Sequence, residues 1–225
     1  MSLVDAETKK WLLNNRERFL QIAQKQGTPL YLFDGQEALV SYHSILNSFE
    51  NEGQGISIFY AIKSNPYPAL LSTLVQAGCG LDVSSDRELA LAISAGASKI
   101  IYTGPAKTED MLGRALDFPG ELIINLDSFE ELKRMGGAAK KKGIRAKCGL
   151  RVSTKNQKGW TKFGIPLHLL SEFISESRKY NHVDLCGIHF HSSFNDDPGP
   201  YVSMLREISA ILQNSLTPEE ALEIR

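Results

Sequence analysis

The chain has 225 residues, with 25 Lys+Arg against 26 Asp+Glu and 42% apolar residues. That balance excludes a basic nucleic-acid footprint, an acidic solvating tail and a disordered chain, and the length is enough to bury a substantial core. No apolar run approaches the roughly 18 residues a membrane-spanning helix needs, so no membrane partner is expected.

The first residues scatter charges and hold no apolar stretch, so the sequence predicts no signal peptide here. Three cysteines (Cys79, Cys148 and Cys186) lie far apart and are odd in number, which predicts buried thiols in a reducing compartment and a cytoplasmic address. Residues 5–26 place Trp11, Leu12, Phe19, Leu20, Ile22 and Ala23 at helical spacing, and Gly27-Thr28-Pro29 ends that helix. Leu30-Tyr31-Leu32-Phe33 reads as a short strand, and Asp34 as the N-cap of a helix through Ser48.

From there a rhythm sets in. Strands are predicted over residues 56–62, 80–83, 100–102, 122–126, 147–152 and 185–190. Helices are predicted over 68–78, 86–96, 108–116, 128–142, 167–180 and 200–214, with another beginning near Pro218. Short, continuous apolar strands alternating with helices are the pattern of a buried parallel sheet. Periodicity alone leaves a closed barrel and an open doubly wound sheet both standing. No glycine-rich turn with dinucleotide-binding spacing follows the first of these strands.

In either architecture ligands bind at the C-terminal ends of the strands. That edge collects Lys63, Asp82, Ser84, Ser85, Asn125, Asp127, Arg151, His189 and His191. Lys63 follows the apolar run Phe59-Tyr60-Ala61-Ile62. It is either an ordinary lysine opening a loop or a partly desolvated amine able to form an imine with an aldehyde, and nothing local decides. His189 and His191 alternate with Ile188 and Phe190, so they share one side of a strand. The sequence places no third ligand beside them, and no metal is expected. Asp82 and Arg151 are charges inside apolar strands and need partners, which structural salt bridges would supply. Lys140-Lys141-Lys142 reads as a solvated helix end.

Four segments resemble the fold-type III pyridoxal-phosphate-dependent amino-acid decarboxylases, the family of the diaminopimelate, ornithine and arginine decarboxylases. Tyr60-Ala61-Ile62-Lys63-Ser64-Asn65-Pro66 looks like its cofactor-lysine motif, and the run from Gly80 to Leu89 resembles its second-strand motif. Arg151-Val152-Ser153 with Lys162-Phe163-Gly164, and Gly187-Ile188-His189-Phe190-His191, resemble its fifth- and sixth-strand motifs. They occur in the family's order.

The resemblance implies a TIM-type (β/α)8 barrel of the alanine racemase-like type, here incomplete, with about six barrel strands. It divides the chain into residues 1–49, a helix-strand-helix leading into the barrel, and residues 50–225, a partial cofactor-binding barrel without the family's C-terminal β domain. The cofactor implied is pyridoxal 5'-phosphate, held by Lys63 as an internal aldimine. His191 matches the histidine that stacks on the cofactor ring. Asp82, Glu88 and Arg151 match residues around Lys63 and the ring. Ser193 or Ser192 would bind the phosphate, although Phe194 stands where the family usually has its phosphate-binding serine.

The implied reaction is decarboxylation of a diamino acid, with meso-diaminopimelate as leading substrate and lysine as product. An amino-acid racemase on the same barrel and a non-catalytic or regulatory relative are the alternatives. A small-molecule substrate, no nucleic-acid partner and a homodimer for the complete protein follow from the same resemblance. The chain ends after the sixth strand and its helix, so it reads as the N-terminal portion of a longer protein.

Overall fold

The structure is a computed structural model, and it describes residues 5–49, 55–153, 162–191 and 199–217. Its contacts divide the chain into two compact units, Met1–Asp34 and Gly35–Arg225.

In the first unit the long helix expected from the sequence is two helices, α1 (Ala6–Asn14) and α2 (Arg16–Gln26). Asp5 caps α1 by accepting from the Thr8 amide at 2.8 Å. The break lies at Asn15, whose side-chain Nδ2 donates to the Trp11 carbonyl at 2.9 Å and competes with continued helix. Residues 30–34 form no strand. Alternating or continuous hydrophobicity can suggest a strand, but only a paired neighbour makes one. Leu30-Tyr31-Leu32-Phe33 has no pairing neighbour among the described residues, and Tyr31 is fully exposed.

The second unit opens with α3 (Gly35–Phe49), which packs on α4 (Pro68–Gln76). Tyr42, Leu70, Leu74 and Cys79 form a small buried cluster there. The strands then follow as β1 (Phe59–Ala61), β2 (Gly80–Val83), β3 (Lys99–Tyr102), β4 (Glu121–Leu126), β5 (Ala146–Ser153), β6 (Ile165–Pro166) and β7 (Val183–His189). The helices between them are α4, α5 (Asp86–Ser94), α6 (Glu109–Ala115), α7 (Phe129–Lys142) and α8 (Leu170–Ser177), with α9 (Gly199–Ser215) last. Ser85, Thr108 and Ser128 each cap the following helix through a side-chain oxygen. Gly143, in the left-handed conformation, closes α7 after the three lysines.

Every strand pairing is parallel, and the order is β1-β2-β3-β4-β5-β7, with the two-residue β6 paired to the far end of β5. Each main strand therefore neighbours the next one in the chain. A doubly wound sheet must reverse its strand order at a switch point, and no reversal occurs here. Parallel crossovers that run in one direction with one hand put all their helices on one face, which is barrel winding. Among the described residues β1 and β7 each pair on one edge only, so the sheet is not closed.

The helix-covered face is the core. Leu81, Val83, Ile100, Tyr102, Ile124, Leu126, Cys148 and Leu150 all point to it and are buried. Alternation then puts Asp82, Ile101, Thr103, Ile123, Asn125, Gly149 and Arg151 on the opposite face. The register aligns them: Asp82 lies opposite Ala61 and Ile101, Asn125 opposite Gly149, and Arg151 opposite His189. A Cβ at Gly149 would collide with the Asn125 side-chain oxygen, so this position must stay bare for Asn125 to lie across the sheet.

Among the described residues one ion pair is wholly inside. Lys107 and Glu131 are 0% and 1% exposed, with Nζ and Oε2 3.0 Å apart. Lys107 Nζ also donates to the Asn125 carbonyl at 2.7 Å, and its ring neighbour is Tyr102 at 5.5 Å. Glu131 accepts the Lys107 amide at 2.9 Å and the Asp127 amide at 3.0 Å. The preceding residue, Ala106, sits at φ 60°, a left-handed conformation that costs roughly 1–3 kcal/mol in a residue with a side chain. The double capture of Lys107 holds that turn in place.

Removing one partner of such a pair leaves the other buried and uncompensated. Glu131→Ala is expected to lower the unfolding free energy by about 3–5 kcal/mol in urea titration. The double change Lys107→Met with Glu131→Leu is expected to cost less than Glu131→Ala alone. A larger loss in the double variant would show that the backbone amides, not the charges, carry the effect.

Candidate active site

The polar face ends in a row of side chains at the C-terminal edge of the sheet. Lys63 stands in a single 3-10 turn, Ile62–Ser64, directly after β1, and it is exposed. The desolvated amine considered from the sequence is therefore not what this structure has. The reason is that no further strand lies beside β1 on its open edge among the described residues. Electrostatically Lys63 faces Asp82, His189 and His191, so it belongs to the same cluster.

Asp82 in β2 is half-buried and accepts a hydrogen bond from the Thr103 hydroxyl. Burial raises its carboxyl above the ordinary range. The Thr103 bond and the Lys63 and Arg151 charges oppose that shift, and Glu88 reinforces it. The partner that a buried acid requires is thus a hydroxyl, not the salt bridge expected from the sequence. Thr103 in turn accepts from Asn125 Nδ2 at 3.5 Å. Glu88 turns its Oε2 to the Ser84 amide at 2.7 Å, and its own amide bonds the Ser85 hydroxyl at 3.3 Å. It locks the β2–α5 turn beside Asp82.

Arg151 does form an ion pair, with Asp127 at 3.4 Å, and its guanidinium lies 5.1 Å from the Phe163 ring centroid. Both charges are about nine-tenths covered, with 10% and 13% of their side chains exposed. Burial raises the Asp127 carboxyl, while a backbone bond from Gly164 and the Arg151 charge pull it down. The segment Lys162-Phe163-Gly164 therefore folds onto Arg151, with which it shares the motif.

His189 ends β7 and His191 follows it. His189 Nδ1 is buried without a hydrogen-bond partner among the described atoms. Burial, then the charges of Arg151, His191, Lys63 and Lys107, push its imidazole down to about 4. The His191 imidazole is also lowered, first by burial and then by Lys63 and Arg151. Both rings are therefore held toward the neutral form. Ser192, Ser193 and Phe194 lie outside the described residues.

The cluster thus brings together Lys63, Asp82, Glu88, Arg151 and His191. Thr103, Lys107 and Glu131 were not picked out from the sequence. Thr103 has the strand-end position that marks its neighbours but no charge to draw attention. Lys107 and Glu131 look like ordinary surface residues until the fold buries them. Among the described residues no group of three His, Cys, Asp or Glu is placed to hold a metal ion. A primary amine, neutral imidazoles and a buried guanidinium on one polar face do suit an aldehyde cofactor with a planar ring. That donor set fits pyridoxal phosphate at its carbonyl and ring.

Residues 40–218 match the family model described as pyridoxal-dependent decarboxylase, pyridoxal binding domain. The diaminopimelate decarboxylase of Campylobacter jejuni is 27% identical over 220 residues, 92% of this chain and 53% of the relative. The ornithine decarboxylase of Leishmania donovani is 30% identical over 167 residues, 70% of this chain and 23% of the relative. The crystal structure of diaminopimelate decarboxylase from M. jannaschii in complex with L-lysine superposes with a TM-score of 0.80 at 26% identity, covering 92% of this chain and 51% of that one. The chain spans about half the length of the curated diaminopimelate decarboxylases it matches.

The depressed His189 has a measurable consequence. An unfolded histidine takes up its proton near the ordinary value of 6.5, the folded one only near 4. The unfolded state therefore binds more protons in that window, and stability falls as pH drops through it. Between pH 7 and pH 5 the unfolding free energy should fall by about 2 kcal/mol more in the unaltered chain than in His189→Gln. Parallel pH profiles of the two would show that His189 is not buried as described.

Proposed function

Because the chain belongs to the pyridoxal-dependent decarboxylases through their pyridoxal-binding domain, we propose that it serves the decarboxylation of a diamino acid, meso-diaminopimelate, to lysine. The observation that carries this reading is the gathering of Lys63, Asp82, Arg151 and His191 on one polar face at the C-terminal edge of the parallel sheet. The names of the diaminopimelate decarboxylases it resembles supply the substrate.

Pyridoxal phosphate, when bound, supplies the electron sink that accepts the electron pair left as a carboxylate departs as carbon dioxide. In this reading Lys63 is the amine that holds the cofactor's carbonyl carbon. His191, kept toward its neutral form, would lie against the ring face, where a neutral imidazole costs less to desolvate than an imidazolium. Asp82 and Glu88 set the charge around Lys63. Arg151, fixed by Asp127 and Phe163, adds a positive charge at the edge of the site. Ser193 remains the choice for the phosphate.

We also infer a cytoplasmic protein that pairs as a homodimer at the relatives' full length. The free cysteines Cys79, Cys148 and Cys186 support the first point, and no described helix is long and apolar enough to cross a membrane. The second rests on the family resemblance.

The deciding experiment mixes the chain with pyridoxal phosphate, reduces with borohydride and maps the labelled peptide. The label is expected on the peptide carrying Lys63 and is expected to be absent from Lys63→Ala. A label spread evenly over surface lysines, or unchanged in Lys63→Ala, would overturn the assignment. Carbon dioxide release from diaminopimelate but not from ornithine, measured on a chain of the relatives' length, would fix the substrate.

A further inference from the structure

We propose that Thr103 is a positioning residue that fixes the charge and direction of Asp82 beside Lys63. The proposal rests on the decarboxylase reading for its purpose, but its geometry stands by itself.

Thr103 is the first residue after β3, and its backbone is pinned independently of its side chain. Its amide donates to the Val83 carbonyl at 2.8 Å, extending the β2–β3 ladder by one bond. The next residue, Gly104, lies so close to the Ser84 backbone that a Cβ there would collide with the Ser84 carbonyl. The two strand ends are thereby clamped, and the Thr103 hydroxyl is delivered to Asp82 from a fixed platform.

The direction of the bond follows from the donors available. An ionised carboxylate can only accept, so the Thr103 hydroxyl donates to Asp82. Its lone pairs are then free to accept, and Asn125 Nδ2 approaches them at 3.5 Å. Asn125 is itself held by its neighbours, with its carbonyl on Lys107 Nζ and its side chain over the bare Gly149. The result is a directed chain from β4 through β3 to β2, ending on the carboxylate that faces Lys63.

The groups that act on Asp82 come from four elements: Lys63 after β1, Glu88 on α5, Arg151 on β5 and Thr103 after β3. Of these, Thr103 is the one uncharged group and the one in direct hydrogen-bond contact. Charges at longer range set the field at Asp82, but only a contact bond sets the carboxyl's rotation. An ionised, oriented Asp82 keeps a negative charge within electrostatic reach of the Lys63 amine. A protonated or rotated one does not. A hydroxyl suits this task because it favours the ionised carboxyl without adding a charge that would compete with Lys63.

The test follows Asp82 by carbon NMR of the carboxyl in chain labelled at aspartate, with Asp82→Asn to assign the signal and no cofactor present. Thr103→Val keeps the shape and removes the donor. Asp82 is then expected to bind its proton about tenfold more tightly. Thr103→Ser, which restores the donor, is expected to return the titration to that of the unaltered chain. With pyridoxal phosphate added, trapping at Lys63 should fall several-fold in Thr103→Val and recover in Thr103→Ser. Circular dichroism checks folding, and Thr103→Ala replaces the valine variant if valine is not accommodated. An Asp82 titration unmoved by loss of the hydroxyl, or not restored by serine, overturns the proposal. If the unaltered chain takes no label at Lys63, the decarboxylase reading fails, while the cofactor-free titration still decides the role of Thr103.

Discussion

Two opposite charges sealed inside the sheet-helix interface set the geometry of everything above them. Lys107 and Glu131 are both almost fully covered, and two buried ions are tolerated only when every donor and acceptor is met. Here Lys107 Nζ donates to Glu131 and to the Asn125 carbonyl and lies 5.5 Å from the Tyr102 ring centroid, while Glu131 also accepts the amides of residues 107 and 127. Those contacts join the loop after β3, the end of β4 and the first turn of α7. They also decide where Asn125 and Asp127 leave the sheet. Asn125 then reaches across to Thr103, whose hydroxyl bonds Asp82, and Asp127 reaches Arg151. The pair contributes no chemistry of its own; its effect is to make the chemical residues face the right way.

The sheet's two faces divide the work. On the helix side, fully buried aliphatic residues supply the hydrophobic stabilisation. On the other side the same strands carry Asp82, Asn125, Arg151, His189 and the bare Gly149. Polar groups can be placed there only because each finds a partner or is pushed toward its neutral form. Burial is the largest cause in each case. It raises the carboxyls of Asp82 and Asp127 and lowers the imidazoles of His189 and His191. With both imidazoles held toward the neutral form, the fixed charges on this face are those of Lys63, Arg151 and the carboxyl groups.

The chain belongs to the pyridoxal-dependent decarboxylases, and its strand order decides where the polar residues gather. Consecutive parallel strands bring residues from β1, β2, β5 and the end of β7 to one edge, although 128 positions separate Lys63 from His191 along the chain. The exposed state of Lys63 is consistent with this, since β1 has no neighbour on its outer edge among the described residues. On strands with neighbours on both sides, Asp82 is half-buried and Arg151 is buried.

Much of this was legible in the chain itself. β2 falls over residues 80–83 as the apolar run suggests, and α5, α6 and α7 lie within the helices predicted over 86–96, 108–116 and 128–142. These features are local: a strand buried on both faces and a helix cap each leave a signature within a few residues. Lys63, Asp82, Arg151 and His191 were visible for the same reason, because charged residues stand out at the end of an apolar run. The failures share a different cause. Residues 30–33 look like a strand but have no pairing neighbour, and the break at Asn15 turns on one side-chain bond within a long helical pattern. The choice between barrel winding and a doubly wound sheet depends on which strands lie side by side. The partners of Asp82 and Arg151, and the burial of Lys107 and Glu131, depend on contacts between segments 21 to 24 residues apart. Sequence by itself determined the elements and the chemical inventory, because those follow from local spacing. Only tertiary structure decided the partners, because pairing and burial are properties of neighbours that the chain brings together only once it is folded.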